Sequence, residues 1–333
     1  MSKRGDPAAN PHERGAALLA ILLLVAVMAG LSVLALDRLK LSTSLSANGA
    51  ALDQARAFAF GAENLALARV ADLNAIDETR TTLAGGWNTR VIDIPLPDGS
   101  ATARVRDAGN CFNLNSLAQG QLPTALTARE SGAIQFVALM QLLGIPQADA
   151  RHIAAALADW LDTDSIPNPD GAEDDAYARA PLPYRPADTL LADPSELRAV
   201  AGVTPAIYAR LKPWICTLPV TDLSPLNVNT LTPDQAPLVA MLLPGKLDLA
   251  RARAIIEARP ADGWSEIADF WRVPALTAVT PTVDVQAQPA LRTRWFALNL
   301  DVEVSGAQLS ETALIDGGLA PPRLVSRRWG SDE

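Results

Sequence analysis

The 333-residue chain has only two cysteines, two histidines and 5% aromatic residues. Cys111 and Cys216 do not belong to a Cys-x-x-Cys pair, which excludes the usual zinc and thioredoxin-type motifs. They form one disulfide if the bulk of the chain lies in an oxidising compartment, or remain two buried thiols if it does not. His12 sits near the start and His152 stands alone in a helical stretch, so there is no Cys/His nucleophile pair. The motifs HExxH, GxSxG and GxxxxGK are also missing. The chain therefore reads as non-enzymatic. Lys and Arg number 28 against 37 Asp and Glu, a net charge of −9. That balance argues against a dedicated nucleic-acid binder, since phosphate affinity needs concentrated cations. Finally, a second long apolar run is absent, which limits the chain to one membrane-spanning segment.

The one apolar run is Ala16–Leu36, uncharged throughout and bounded by Arg14 and by Asp37, Arg38 and Lys40. About 20 apolar residues suffice to cross a bilayer as a helix. A secretory signal has a shorter apolar core and a small-x-small cleavage site, for which Val33-Leu34-Ala35 is a poor match. Lys3, Arg4 and Arg14 precede the run, and this weakly favours an N-terminus-in orientation. The pattern continues beyond it. Leu41, Leu45, Asn48, Leu52, Ala55, Ala59, Ala62 and Ala66 recur at steps of three and four, with Arg56, Glu63 and Arg69 elsewhere. The spacing predicts one helix from near Ala16 to the low 70s, about 50 residues long, apolar all round in its first half and amphipathic in its second.

Val91–Leu96 and Ala101–Asp107 have strand character around the turn signal Pro97-Asp98-Gly99. A second alternating pair flanks Gly306, with Phe296, Leu298, Leu300, Val302 and Val304 on one face. Between the two hairpins the chain reads helical, with segments expected at Thr127–Leu143, Gln147–Leu161, Pro205–Leu211, Pro233–Leu243 and Leu249–Ala258, and a helix start capped by Asp193. The expected fold is α+β: a long N-terminal helix packed on a small antiparallel sheet, with a large all-α domain inserted between the hairpins. The seven tryptophans are scattered and read as core or interface anchors. Within 226–260 the chain resembles a helix-hairpin-helix module, a DNA-phosphate binder in other settings. Here the hairpin has one glycine, Gly245, beside Lys246 in an acidic chain, and it reads as a packing unit.

The stretch "DWLDTDSIPNPDGAEDD" gathers Asp159, Asp162, Asp164, Asp170, Glu173, Asp174 and Asp175 with no Lys or Arg. Pro167, Pro169 and Gly171 make it a loop on which carboxylates can converge. Oxygen ligands without His or Cys point to calcium. The competing reading is a solvated acidic loop. The glycine and terminal glutamate do not fall at EF-hand spacing, so an EF-hand is rejected.

A charged leader, Arg14-Gly15, an uncharged helix and an amphipathic continuation resemble a type IV prepilin or pseudopilin. The resemblance implies cleavage after Gly15 by a prepilin peptidase and methylation of Ala16. Most members carry Glu as the fifth mature residue, whereas this chain has Ala20. Such a Glu would sit in an apolar fibre core and need a neighbour's charge. A subunit with no neighbour above it has no use for one. The segments "RDAGNCFNLNSLAQ", "ADWLDTD", "GAEDDAY", "LKPWICTLP", "LNVNTLTP" and "ARPADGW", in this order, resemble the K-type minor pseudopilins of type II secretion (general secretion pathway protein K). That resemblance implies a Cys111–Cys216 disulfide and structural calcium, one or two ions. The expected ligands are Asp162, Asp164, Glu173 and Asp174, with Asp170, Asp175 and Asn168 as further candidates.

It also implies a tip position, assembly with I- and J-type minor pseudopilins, contact with the inner-membrane assembly platform, and a possible approach to secreted substrate or secretin. The chain would be a single-pass inner-membrane protein with its globular part in the periplasm of a Gram-negative bacterium. The expected divisions are leader 1–15, spanning helix 16–36, stem and first hairpin 37–110, inserted domain 111–289, second hairpin 290–320 and tail 321–333. The alternative is an anchored periplasmic adaptor that recruits a secreted substrate or an outer-membrane partner.

Overall fold

The computed structural model describes residues 11–121, 125–179, 181–277 and 279–330. Residues 1–10 of the expected leader lie outside them. Helix α1 (Pro11–Ile76) is one uninterrupted 66-residue rod that takes in Gly15, Ala16 and Ala20. It takes in Pro11–Gly15, ahead of the start near Ala16 that its periodicity predicts. β1 (Val91–Leu96) and β2 (Gly99–Asp107) follow as an antiparallel hairpin. Asp98, at φ 59°, turns the chain between them.

The chain then leaves the sheet. β3 (Phe112–Asn113), β4 (Ala118–Gln121) and β5 (Ala125–Ala128) precede α2 (Glu130–Leu142) and α3 (Gln147–Leu161). Next come α4 (Asp174–Tyr177), α5 (Pro205–Leu211), β6 (Ile215–Cys216), β7 (Leu226–Asn227), α6 (Ala236–Ala240) and α7 (Leu249–Glu257). α8 (Ile267–Trp271), α9 (Val283–Gln286) and β8 (Pro289–Ala290) complete the insertion. It is therefore not all-α: β3–β6 and β7–β8 are short parallel pairs, and β4–β5 is a small antiparallel one. The residues expected to open α2 at Thr127 instead belong to β5. Asp193 caps a 3₁₀ turn, Pro194–Ala199, through a capping box with Glu196.

The chain returns as β9 (Trp295–Val304), β10 (Ala307–Asp316) and β11 (Arg323–Trp329). Sheet order is β1-β2-β9-β10-β11, antiparallel throughout. β11 lies in what was expected to be a tail, so the second hairpin is a three-stranded meander. Ser305 and Gly306, both left-handed, make the tight β9–β10 turn.

Two hydrophobic cores result. In the head, Ala55, Ala59, Ala62, Ala66, Val70 and Leu73 of α1 pack on Phe296, Leu298, Leu300, Val302 and Val304 of β9 and on their neighbours. The alanines matter because they let the helix lie close to the sheet. Glu63, assigned from its spacing to the exposed side, is instead buried against the sheet and pairs with Arg327 of β11. The second core fills the insertion, around Phe112, Phe136, Leu139, Ile153, Leu157 and Met241.

Head and insertion meet over a buried polar junction. Asp107, at the end of β2, accepts hydrogen bonds from Thr230 Oγ1 (2.6 Å), Thr293 Oγ1 (2.5 Å) and the Gly109 amide (2.8 Å). Burial pushes its carboxyl up, against those hydrogen bonds. Asn227 Nδ2 donates to Thr293 Oγ1 (2.8 Å) and to the Thr81 carbonyl (3.0 Å), closing the network. Beside it, Cys111 and Cys216 form a disulfide with Cα atoms 5.8 Å apart.

Candidate functional site

Two features stand apart from ordinary packing: the acidic loop after α3 and the bare half of α1. The amphipathic α3 ends at Leu161 and delivers Asp159 and Asp162 to the interior, 0% and 2% exposed. The loop is anchored where Thr163 donates from its amide and its hydroxyl to the Leu126 carbonyl of β5 (both 3.1 Å). Asp164 Oδ1 accepts from the Ile166 amide (2.8 Å), which holds the next turn. Asn168 donates from its amide (3.0 Å) and its side chain (2.5 Å) to Asp159 Oδ1. Gly171 is required here for space: a Cβ on it would lie 1.9 Å from Asp159 Oδ2. The chain then brings in Glu173, 8% exposed, at the cap of α4.

One carboxylate oxygen each from Asp162, Asp164 and Glu173 lie within 4.8 Å of one another. Asp162 Oδ1, Glu173 Oε1 and Asp159 Oδ2 are buried without a hydrogen-bond donor. Burial first, then the charges of Asp164, Asp159 and Glu173, push the Asp162 carboxyl up to about 7. Burial first, then Asp159, Asp188 and Asp164, push Glu173 up to about 7. Buried carboxylate oxygens without donors, mutual repulsion and no cation among them are an oxygen-only set that could hold a hard divalent ion. Asp170, Asp174 and Asp175 do not join the group. Asp170 is exposed at φ 66°, and its carbonyl accepts from His152 Nδ1 (2.7 Å). Asp174 faces Arg185 at 3.7 Å, and Asp175 is exposed on α4. Two acids whose charges act on the group were missed. Asp159 belongs to the same acidic run, and the helical period that turns it inward was the available signal. Asp188 lies beyond the run and gave none.

α1 is the other feature. Its most apolar window has a mean hydropathy of 2.9, and none of it is buried. Leu18 to Leu45 offer apolar side chains on every side, whereas from Ala51 onward one face is covered by the sheet. Among the described residues this is the one helix long and apolar enough to cross a membrane.

Residues 110–220 and 226–293 match the two family models described as type II secretion system protein K. The chain belongs to that family. It is 32% identical to type II secretion system protein K of Pectobacterium carotovorum subsp. carotovorum, covering 96% of this chain and 97% of the relative. It is 35% identical to the Klebsiella pneumoniae protein, covering 96% and 98%. A solved structure, the GspK-GspI-GspJ complex from enterotoxigenic Escherichia coli, contains a chain that matches with a TM-score of 0.73 at 31% identity, covering 84% of this chain and 97% of that one. The long helix on an antiparallel sheet is thus the fold of a minor pseudopilin of type II secretion.

Proposed function

We propose that the chain is a non-catalytic tip subunit of the type II secretion pseudopilus, assembling with I- and J-type minor pseudopilins to initiate or cap the fibre. The observation that carries this reading is the apolar half of α1, bare in the isolated chain yet continuous with the helix that forms the head core. Such a helix needs a lipid or protein surround. A bilayer supplies it first and neighbouring helices supply it in the fibre. The solved relative was captured with GspI and GspJ, which supports the choice of partners. The wide insertion, set to one side of a thin stem, suits an end position better than a repeated one. Ala20 suits it too, because a terminal subunit gains nothing from a buried acid there. Prepilin peptidase would release the chain after Gly15 and expose Ala16, and the assembly platform of the inner membrane would then extract it. The globular part would lie in the periplasm.

The mature N-terminus tests this directly, by intact mass and N-terminal peptide analysis with and without prepilin peptidase. A methylated Ala16 start that depends on the peptidase is expected. An uncleaved start in both samples would favour the anchored adaptor, and a cut near Ala35 a freely exported protein.

For the acidic loop, calcium is the ion its chemistry favours. Asp162, Asp164 and Glu173 would hold it, with Asp159 close behind. Bound, it would supply the positive charge that the loop lacks. Its role would be structural, fixing the α3–α4 connection.

A further inference from the structure

A second cluster of buried acids lies in the head, where the metal reading does not reach. Glu63 of α1 and Glu311 of β10 face each other between helix and sheet, their side chains 8% and 0% exposed. Among the described residues, Arg327 of β11 is the cation that faces both. It donates from Nε and Nη2 to the two carboxylate oxygens of Glu63. Its Nε lies 3.6 Å from Glu311 Oε1, too far for a hydrogen bond. From β9 the residue opposite Glu311 is Leu300, and the side chains on that face are Leu298, Leu300 and Val302, so no charge arrives from that strand. Two buried carboxylates therefore share one guanidinium, and both Glu311 oxygens are left without a donor.

We propose that Glu311 carries a proton in the folded protein at neutral pH, and that its O–H, donated to the Glu63 carboxylate, latches the C-terminal strand β11 onto the stem helix. The proton leaves one negative charge facing one positive charge, and it satisfies an oxygen that otherwise has no donor. Loss of the proton to solvent places an unbalanced charge under β11. The cover that yields is the edge strand, because α1 is fixed by its apolar stripe. β11 is held by its ladder to β10, by Arg327, by the ion pair of Arg328 with Asp193 and by Leu324 against the head core, its other side chains being largely exposed. The position of Glu311 against Glu63, with burial as the leading cause, holds its carboxyl up to about 8. A raised carboxyl contributes stability that is complete below the ordinary carboxylate range and is lost as pH rises through that value. Opening β11 would uncover the β10 edge and the Phe60–Trp329 patch, whose rings meet edge-on at 6.0 Å.

Hydrogen exchange on the full calcium-saturated chain in detergent tests the latch. Protection of the β11 amides, corrected for intrinsic exchange, is expected to fall by up to about tenfold per pH unit between the ordinary carboxylate range and about pH 8, and to level off above it, while β2 and β9 hold theirs. Glu311→Gln keeps a donor and cannot ionise, so its β11 protection should stay flat. A wild-type β11 with pH-independent protection, or an E311Q variant with the wild-type slope, would overturn the proposal. Should E311Q not fold, Glu-selective ¹³C labelling of the wild type decides. One glutamate carboxyl carbon titrating above neutrality in the calcium-saturated chain, and still present in Glu173→Gln, is expected, and its absence sinks the idea.

Discussion

The head and the insertion both bury carboxylates, and they balance them in opposite ways. In the head, Glu63 and Glu311 meet an arginine from the same chain. In the insertion, Asp159, Asp162 and Glu173 are not answered by a cation, and the charges that act on Asp162 and Glu173 are those of other acids. The first arrangement has a cation supplied by the chain itself, and one proton on Glu311 would balance the rest. The second holds no cation of its own among the described residues, and on the calcium reading an ion would supply that charge. A buried acid thus reports less by its burial than by the origin of the charge that answers it.

Arg327→Ala strips the head of its internal cation and should have the largest effect. It should cost about 3 kcal/mol in chemical denaturation, the low end for a broken buried pair, because solvent reaches the guanidinium. If the loss is a few tenths, the head does not depend on its own cation and the contrast fails. Calcium removal is the matching step in the insertion. Ion at 100 times its dissociation constant should add about 2.7 kcal/mol, seen as a chelator-sensitive shift in thermal unfolding. A chain that melts identically with chelator and with calcium would end the metal reading.

Acidity sharpens the same contrast. Asp162 and Glu173 are raised to about 7, so calcium-free stability is complete below the ordinary carboxylate range and is lost as pH rises through about 7. Calcium affinity should strengthen over that same span, readable by titration calorimetry at several pH values. Asp162→Asn should relieve repulsion, raise calcium-free stability by about 1 kcal/mol and abolish the calcium response. The smallest effect belongs to a pair that neither region buries. Arg253→Ala, which breaks an exposed contact with Asp234 at 3.1 Å, should stay within about 0.5 kcal/mol.

The sequence spelled out the head more fully than the insertion, and the reason is periodicity. The alanine stripe of α1 and the alternation of Phe296 to Val304 repeat often enough to fix a helix face and a strand face. β11 was missed because Arg323–Trp329 buries almost nothing and so carries no alternation; its place is set by the ladder to β10. Glu63 was misplaced because a charged residue beside an alanine stripe reads as exposed until its partner, 264 positions away, is known. In the insertion the structure hangs on single polar residues with no repeat. Asn113 and Asn115 are fully buried and tie the Phe112–Leu117 stretch to the carbonyls of Val220, Leu191 and Leu218. The acidic loop stood out by composition, but composition could not rank its members. Asp159 faces inward and Asp175 outward for reasons of helix phase and loop path.

The strands that flank the insertion, β2 and β9, are hydrogen-bonded neighbours, and Asp107 lies directly opposite Phe296. Adjacent antiparallel strands run only about 5 Å apart. The chain therefore departs from the sheet and re-enters it at almost one point, as a side street leaves and rejoins a road at the same corner. The sheet's register owes nothing to the size of the detour. A short turn joining the residues after Asp107 to those before Trp295 should leave a five-stranded head on its helix. Conversely, a domain of quite different size could occupy the same corner without disturbing the stem.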